Sequence, residues 1–186
     1  MGGWGFGKGQ PRGVVIVSGI PGAGKTTVAR LLARRFDRAA HIEGDAIQEL
    51  IVSGGLHPNE EPREEAERQL RLRTRNICLL ADNFLAAGVM PVIDDVVVAR
   101  ARFDHFLACL RSRPVFLVQL APPLDVAAER DAHRGDKAVL HLWRHLDAEL
   151  REQMSGVGLW LDTTELTPDE SVEEIVKRLW SEGAVA

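Results

Sequence analysis

Cysteine is scarce in this chain. Cys78 and Cys109 are its only two, each stands alone in an apolar stretch, and no CxxC pair exists to hold a metal or run redox exchange. Such thiols are expected to be reduced core residues of a cytoplasmic protein. No apolar run approaches the roughly 18 residues that would span a bilayer, so no membrane partner is expected. An excess of positive charge is also missing: the formal net charge is -4, which disfavours a nucleic-acid partner. His141 and His145 stand four apart, but Leu142-Trp143-Arg144 between them lacks the glutamate of the zinc pattern HExxH. These histidines, with Trp143, Trp160 and Trp180, are read as packing or surface residues. There is no internal repeat, low-complexity tract or linker. What is present, 45% apolar and 27% charged residues in 186 positions, suits one globular domain. The opening MGGWGFGKGQPRG is rich in glycine and lacks a signal peptide's apolar core, so residues 1–13 are expected as a flexible lead-in and 14–186 as a single domain.

Short branched apolar runs recur at 14–18, 41–43, 89–94, 115–120 and 158–161, mostly separated by longer helical patterns. This βαβ alternation predicts an α/β fold, a parallel sheet covered by helices on both faces, with ligands at the carboxyl ends of the strands. Thr167-Pro168-Asp169-Glu170 reads as the capped start of a final helix. The segment 63–87 places Ala66, Leu70, Ile77, Leu80, Ala81, Phe84 and Ala87 on one stripe, predicting an amphipathic helix packed on the sheet. Its other side carries Arg68, Arg71 and Arg75. Glu64 and Glu67, four residues before the first two, predict a solvated, salt-bridged face and leave Arg75 as the candidate for an anionic ligand.

The strongest motif is Gly19-Ile20-Pro21-Gly22-Ala23-Gly24-Lys25-Thr26, followed by Thr27, between the first strand and the first helix. The spacing is G-x-x-x-x-G-K-[ST], and the flanking strand and helix are the context that the motif needs. Amides of residues 22–26 point at an anion because glycine permits close approach and the new helix offers unpaired N–H groups. Lys25 supplies positive charge for the β and γ phosphates of ATP, Thr26 a hydroxyl for Mg²⁺, and Thr27 a helix or phosphate contact. Asp94-Asp95 leave the end of the 89–94 strand, where a second Mg²⁺ ligand is built in such folds. Adjacent strand side chains point oppositely, so Asp94 is favoured for the metal and Asp95 for the substrate side, with a turn-capping role as the alternative for the pair.

Asp45, in His41-Ile42-Glu43-Gly44-Asp45, arrives beside the phosphate loop at the start of a helix expected over 46–52. A carboxylate there can accept a hydroxyl proton and aim the oxygen at phosphorus. The competing reading is a helix N-cap, and Glu43 is a substitute for the same task. After the 115–120 strand, residues 125–137 gather Arg130, Arg134 and Lys137 near Gly135. They read as a short lid closing over ATP or, with Asp131 and Asp136, as an ordinary solvated charge cluster.

Together GIPGAGKTT, HIEGD, VIDDV, ERDAHRGDK and LWLDTTELTPDE resemble the chloramphenicol phosphotransferase-like branch of the P-loop kinases, whose wider relatives include shikimate and gluconate kinases. The likeness covers nearly all of the chain after residue 13. It implies a five-stranded parallel sheet in the order 2-3-1-4-5 and ATP over Gly22 to Thr27. It also implies Asp45 as the hydroxyl-activating aspartate, Arg130 and Arg134 as lid arginines, and Asp162-Thr163-Thr164 as the turn near the adenine. The loop 53–62 matches no chloramphenicol pocket, so that antibiotic is not implied, and the absence of D-x-x-R after the second strand speaks against a polynucleotide 5′-hydroxyl kinase. The expected activity is ATP- and Mg²⁺-dependent phosphorylation of a small-molecule hydroxyl. Its rivals are a nucleoside or nucleotide kinase and a nucleotide-binding regulatory module that works through a partner protein.

Overall fold

A computed structural model describes residues 12–133 and 144–186; the lead-in expected over 1–13 falls almost wholly outside them. The described elements run in order as β1 (Val14–Ser18), α1 (Lys25–Ala33), β2 (Ala39–Glu43), α2 (Gly44–Glu49), α3 (Arg63–Ala86), β3 (Met90–Asp94) and α4 (Arg100–Cys109). They continue with β4 (Val115–Leu120), α5 (Leu124–Ala132), α6 (His145–Gln153), β5 (Leu159–Leu161) and α7 (Pro168–Glu182). All strand pairs are parallel, and the sheet order is β2-β3-β1-β4-β5.

Strands β1, β3 and β4 are buried at every position. That is why they read as unbroken apolar runs: a central parallel strand is covered on both faces. Helices α1 and α7 pack on one face of the sheet and α3 on the other, with α4 against α3. The last helix begins as its sequence promised, with the Thr167 hydroxyl and the Glu170 carboxylate capping each other's backbone amides and Pro168 in the first turn. Among the described residues no helix is long and apolar enough to cross a membrane.

The register aligns the functional ends. Val17 is level with Asp94 across β1 and β3, and Glu43 is level with Asp94 across β2 and β3. The phosphate loop, the β2–α2 junction and Asp94-Asp95 therefore leave the sheet side by side. The chain runs from β1 outward to β2, then from β3 back across β1 to β4, and this reversal opens a crevice at the carboxyl ends.

Helix α3 departs from the expected stripe. Its buried face is Ala66, Gln69, Arg73, Thr74, Ile77, Cys78 and Ala81, whereas Leu80 is exposed and Ala87 lies beyond the helix end. The exposed face is salt-bridged, but Arg68 pairs with Glu65, three residues away, rather than with Glu64; Arg71 does pair with Glu67. Burial pushes the Cys78 thiol up, with Cys109 adding to the effect, as suits an inert core thiol.

Candidate functional site

The phosphate loop is shaped by backbone conformations that side chains resist. Gly22 and Gly24 both adopt left-handed φ, 81° and 91°. A Cβ on Gly22 would collide with the carbonyl of Ala127 in α5, so this glycine lets α5 pack directly against the loop. Around Gly24 a Cβ would meet nothing within 4 Å, and the residue is exposed, so its backbone faces open space at the mouth of the loop. Gly24 is the N-cap of α1, no side chain among the described residues caps that helix, and its first turn holds no acidic residue. These are the conditions under which first-turn amides serve an anion. Pro21 and Ala23 are buried beneath the loop, Gly19 links it to β1, Thr26 is half-buried and Thr27 exposed. Lys25 folds over the loop, its Nζ donating to the Ile20 carbonyl at 3.1 Å.

The two glycines predict different failures. Gly22→Ala is expected to lower the melting temperature, because the methyl meets helix backbone. Gly24→Ala adds strain of about 1 kcal/mol but places its methyl where a phosphate would sit. Calorimetry should show MgATP affinity reduced at least about tenfold, or about 1.4 kcal/mol, with modest change in thermal stability. Wild-type affinity in Gly24→Ala would remove this loop as the phosphate cradle.

Asp94 and Asp95 diverge to opposite faces of the sheet. Asp94 shares the α1 face with its register neighbour Glu43, which lies 3.8 Å from Arg30 of α1, so it faces the helix that opens with Lys25 and Thr26. It is buried, and its Oδ2 has no hydrogen-bond partner among the described residues. The atom stands 3.7 Å from His41 Nε2, which is likewise unsatisfied. The buried Asp94 oxygen, without a donor among the described residues, and the half-buried Thr26 hydroxyl at the start of α1 are oxygen ligands of the kind that a hydrated Mg²⁺, which takes few protein ligands, accepts.

Asp95 enters the opposite layer. Its Oδ1 accepts from Arg73 Nη2 of α3 and from the Val96 amide at 2.8 Å, and its Oδ2 accepts from Arg102 Nη2 of α4 at 2.6 Å. Burial alone would raise the Asp95 pKa, but the guanidinium groups of Arg102 and Arg73 outweigh it and hold the carboxyl below its ordinary range. For Arg73, burial works against the charge and the flanking Asp95 and Asp45 more than restore it. For Arg102, burial with Arg73 nearby prevails and its pKa is lowered.

Asp45 sits in the first turn of α2 with its side chain 80% exposed, and its Oδ1 accepts from Arg73 Nη1 at 3.1 Å. The N-cap of this helix is Glu43, and no side-chain cap bond forms, so the capping role considered for Asp45 is not realised. The sequence also set the helix too late: α2 covers Gly44–Glu49 rather than 46–52.

Arg130, on α5, binds the turn after β5. Its Nη1 donates to Thr163 Oγ1 at 2.9 Å, and its Nη2 donates to the carbonyls of Thr163 at 2.7 Å and Thr164 at 3.3 Å. Asp162 braces the same turn by accepting from the Thr164 amide and hydroxyl, and those bonds hold its pKa down. Arg130 and Thr164, with Val126, Glu129 and His133, line a hollow of about 380 Å³. Arg134, Asp136, Lys137, His141 and Trp143 lie outside the described residues.

Arg73 and Arg102 are the site residues that sequence reasoning missed. A signal for Arg73 was present: it is seven residues after Ala66 and four before Ile77, an arginine on the stripe that faces the sheet. Arg102 carried no comparable mark.

Residues 14–153 match the family model AAA_33, described as an AAA domain. A cytidylate kinase of Haloquadratum walsbyi is 33% identical over 131 residues, 68% of this chain and 60% of that protein. Curated relatives are matched over only 55% to 60% of their own length in the leading cases. Among solved structures, a sugar kinase from Janibacter sp. HTCC2649 superimposes with a TM-score of 0.69 at 23% identity, covering 90% of this chain and 94% of that one. A gluconokinase from Sinorhizobium meliloti 1021 does so with a TM-score of 0.62 at 22% identity, covering 90% and 92%. By the family match, and with a sheet order and phosphate loop that agree with it, this chain belongs to the AAA_33 family and has the kinase-type P-loop fold.

Proposed function

We propose that this chain is an ATP- and Mg²⁺-dependent phosphotransferase that moves the γ-phosphoryl group of ATP to a hydroxyl of a small molecule. The observation that carries this reading is Asp45: an exposed carboxylate, held by a buried arginine, at a strand end level with the phosphate loop. In the reaction, the acceptor O–H proton passes to Asp45 and the oxygen bonds to the γ-phosphorus. The bond from phosphorus to the bridging oxygen breaks, and ADP departs with that electron pair. The amides of residues 22–26 and Lys25 hold the phosphates. Thr26 and Asp94 would hold Mg²⁺, which when bound neutralises charge on the phosphate oxygens. Arg130 fits the nucleotide-holding role better than the phosphoryl-neutralising one, because its guanidinium is bound to the 163–164 turn beside the hollow.

The named activity of the cytidylate kinase relative supports a second reading, in which the acceptor is a nucleoside monophosphate. An acceptor phosphate calls for a cation with room to bind it. Arg73 and Arg102 are engaged by carboxylates, Arg68 and Arg71 by glutamates on the outer face of α3. Arg75, the candidate left by the sequence, is exposed on α3, two positions and so about 200° around the helix from Arg73.

A panel of acceptors with labelled ATP separates the two. Neutral sugars, gluconate and chloramphenicol are offered against CMP and AMP. Transfer to an alcohol is expected, and preferential transfer to a monophosphate would overturn the first reading in favour of the second.

A further inference from the structure

Asp45 has the setting of a mobile side chain and the contacts of a fixed one. It stands on a six-residue helix without a side-chain cap and is largely exposed, and an exposed carboxylate ordinarily samples several rotamers. Yet its Oδ1 is bound 3.1 Å from the Nη1 of Arg73, a guanidinium only 6% exposed. Arg73 is in turn anchored through Nη2 to Asp95, which is tied to the Val96 amide and to Arg102. Arg102 is itself fixed by its Nε donating to the Val96 carbonyl at 2.8 Å and by lying 5.6 Å from the centre of the Phe106 ring. The backbone beneath Asp45 belongs to the same assembly, because a Cβ on Gly44 would come within 2.8 Å of Asp95 Oδ1.

Charge counting separates the roles of the two arginines. One carboxylate, Asp95, faces two guanidinium groups, and a buried pair needs only one of them for neutrality. Among hydrogen-bonded partners, the second cation is balanced through Asp45. Arg73 Nε, moreover, is buried with no hydrogen-bond acceptor among the described residues. A side chain kept for stability alone would not bury a charge that Asp95 does not need, together with an unsatisfied donor, where an apolar residue of similar size would pack.

We propose that Arg73, anchored by Asp95 and Arg102, is the positioning residue for Asp45: it holds Oδ1 and so presents Oδ2 to the acceptor hydroxyl. This rests on the reading of Asp45 as the acceptor carboxylate. The arrangement couples α2, α3, β3 and α4 in one network, so the aim of the carboxylate is set by the core rather than by the surface loop that follows it.

The test is a kinetic double-mutant cycle with MgATP and whichever alcohol of the panel is turned over; phosphate release to water serves as the second acceptor. Arg73→Met leaves Asp95 paired with Arg102, so the protein should fold and bind MgATP as the wild type does. Its kcat should fall about 10- to 100-fold, the size of a misaimed reacting group, with KM for ATP nearly unchanged. In an Asp45→Asn background the same change should cost less than about threefold, because residues that act as a unit are not additive. Arg73→Lys should recover part of the loss. An equal loss in both backgrounds, or no loss in the single variant, overturns the positioning role. Wild-type turnover in Asp45→Asn alone would instead refute the underlying reading, before Arg73 is altered. Independently of turnover, ¹⁵N spectra of the arginine side chains should show restricted rotation at Arg73 Nη1 that Asp45→Ala releases; unchanged rotation would also overturn the clamp.

Discussion

Asp95→Ala is expected to cost about 3–5 kcal/mol, the usual penalty for removing one partner of a buried ion pair. The reason is the company that the carboxylate keeps. Arg73 and Arg102 are 6% and 14% exposed, and both direct a guanidinium nitrogen at Asp95; without it, two neighbouring cations lie buried and repel each other. Against a total stability of about 5–15 kcal/mol, that is a large share. For a chain of this length each kcal/mol moves the melting temperature by about 2–4 °C, so a fall of roughly 6–20 °C, or failure to express, should be seen in thermal unfolding followed by circular dichroism. The pH dependence has a definite sign. The folded Asp95 carboxyl lies below its ordinary 3.8, so its contribution is fully present above that value and is lost as pH falls through the lower, folded pKa. Wild-type stability should therefore drop in strong acid, and Asp95→Asn should start lower at neutral pH and lose less on acidification. A variant as stable as the wild type at pH 7 would mean that the network does not hold the fold.

The sheet was legible because its determinants are local. Val14 to Ser18 and Val115 to Leu120 are long enough and apolar enough to be read as central strands, and both match the structure to the residue. The phosphate loop was legible for a different reason: its shape depends on glycine at fixed spacing, and spacing is visible in a sequence. The divergence of Asp94 and Asp95 followed from strand alternation alone. The Arg73 network was not legible as a network. It joins α2, α3, β3 and α4 across 28 residues at one link and 22 at another, and no periodic signal reports which distant side chains meet. The misplaced stripe on α3 has the same origin. Assigning the face by apolar residues put Leu80 inward and set Arg73 aside, while the sheet accepts Arg73 because Asp95 is there to receive it. The hollow lined by Arg130 and Thr164 likewise needed the fold, since those residues meet only when α5 packs beside the turn after β5.

Asp45→Asn should reduce phosphoryl transfer by at least about a hundredfold, within the usual range for loss of a general base, while leaving the protein folded. The substitution is nearly isosteric, and the amide oxygen can still accept from Arg73 Nη1, so the clamp survives. The exposed end of the pair contributes little to stability, under about 1 kcal/mol, and the melting temperature should hardly change. MgATP affinity should also be preserved, because the loop amides, Lys25, Thr26 and Asp94 are untouched. What the amide cannot do is take the acceptor's proton: its nitrogen only donates, and its oxygen is far less basic than a carboxylate. The deficit should therefore appear in kcat rather than in the KM for either substrate, the pattern of an interaction made in the transition state. Stopped-flow or steady-state assay of ADP formation with the panel's best alcohol, alongside calorimetric titration of MgATP, measures both sides. Turnover within about threefold of the wild type, beside intact nucleotide affinity, would put the proton elsewhere. Glu43, level with Asp94 at the end of β2 and 3.8 Å from Arg30, would then be the next carboxylate to replace.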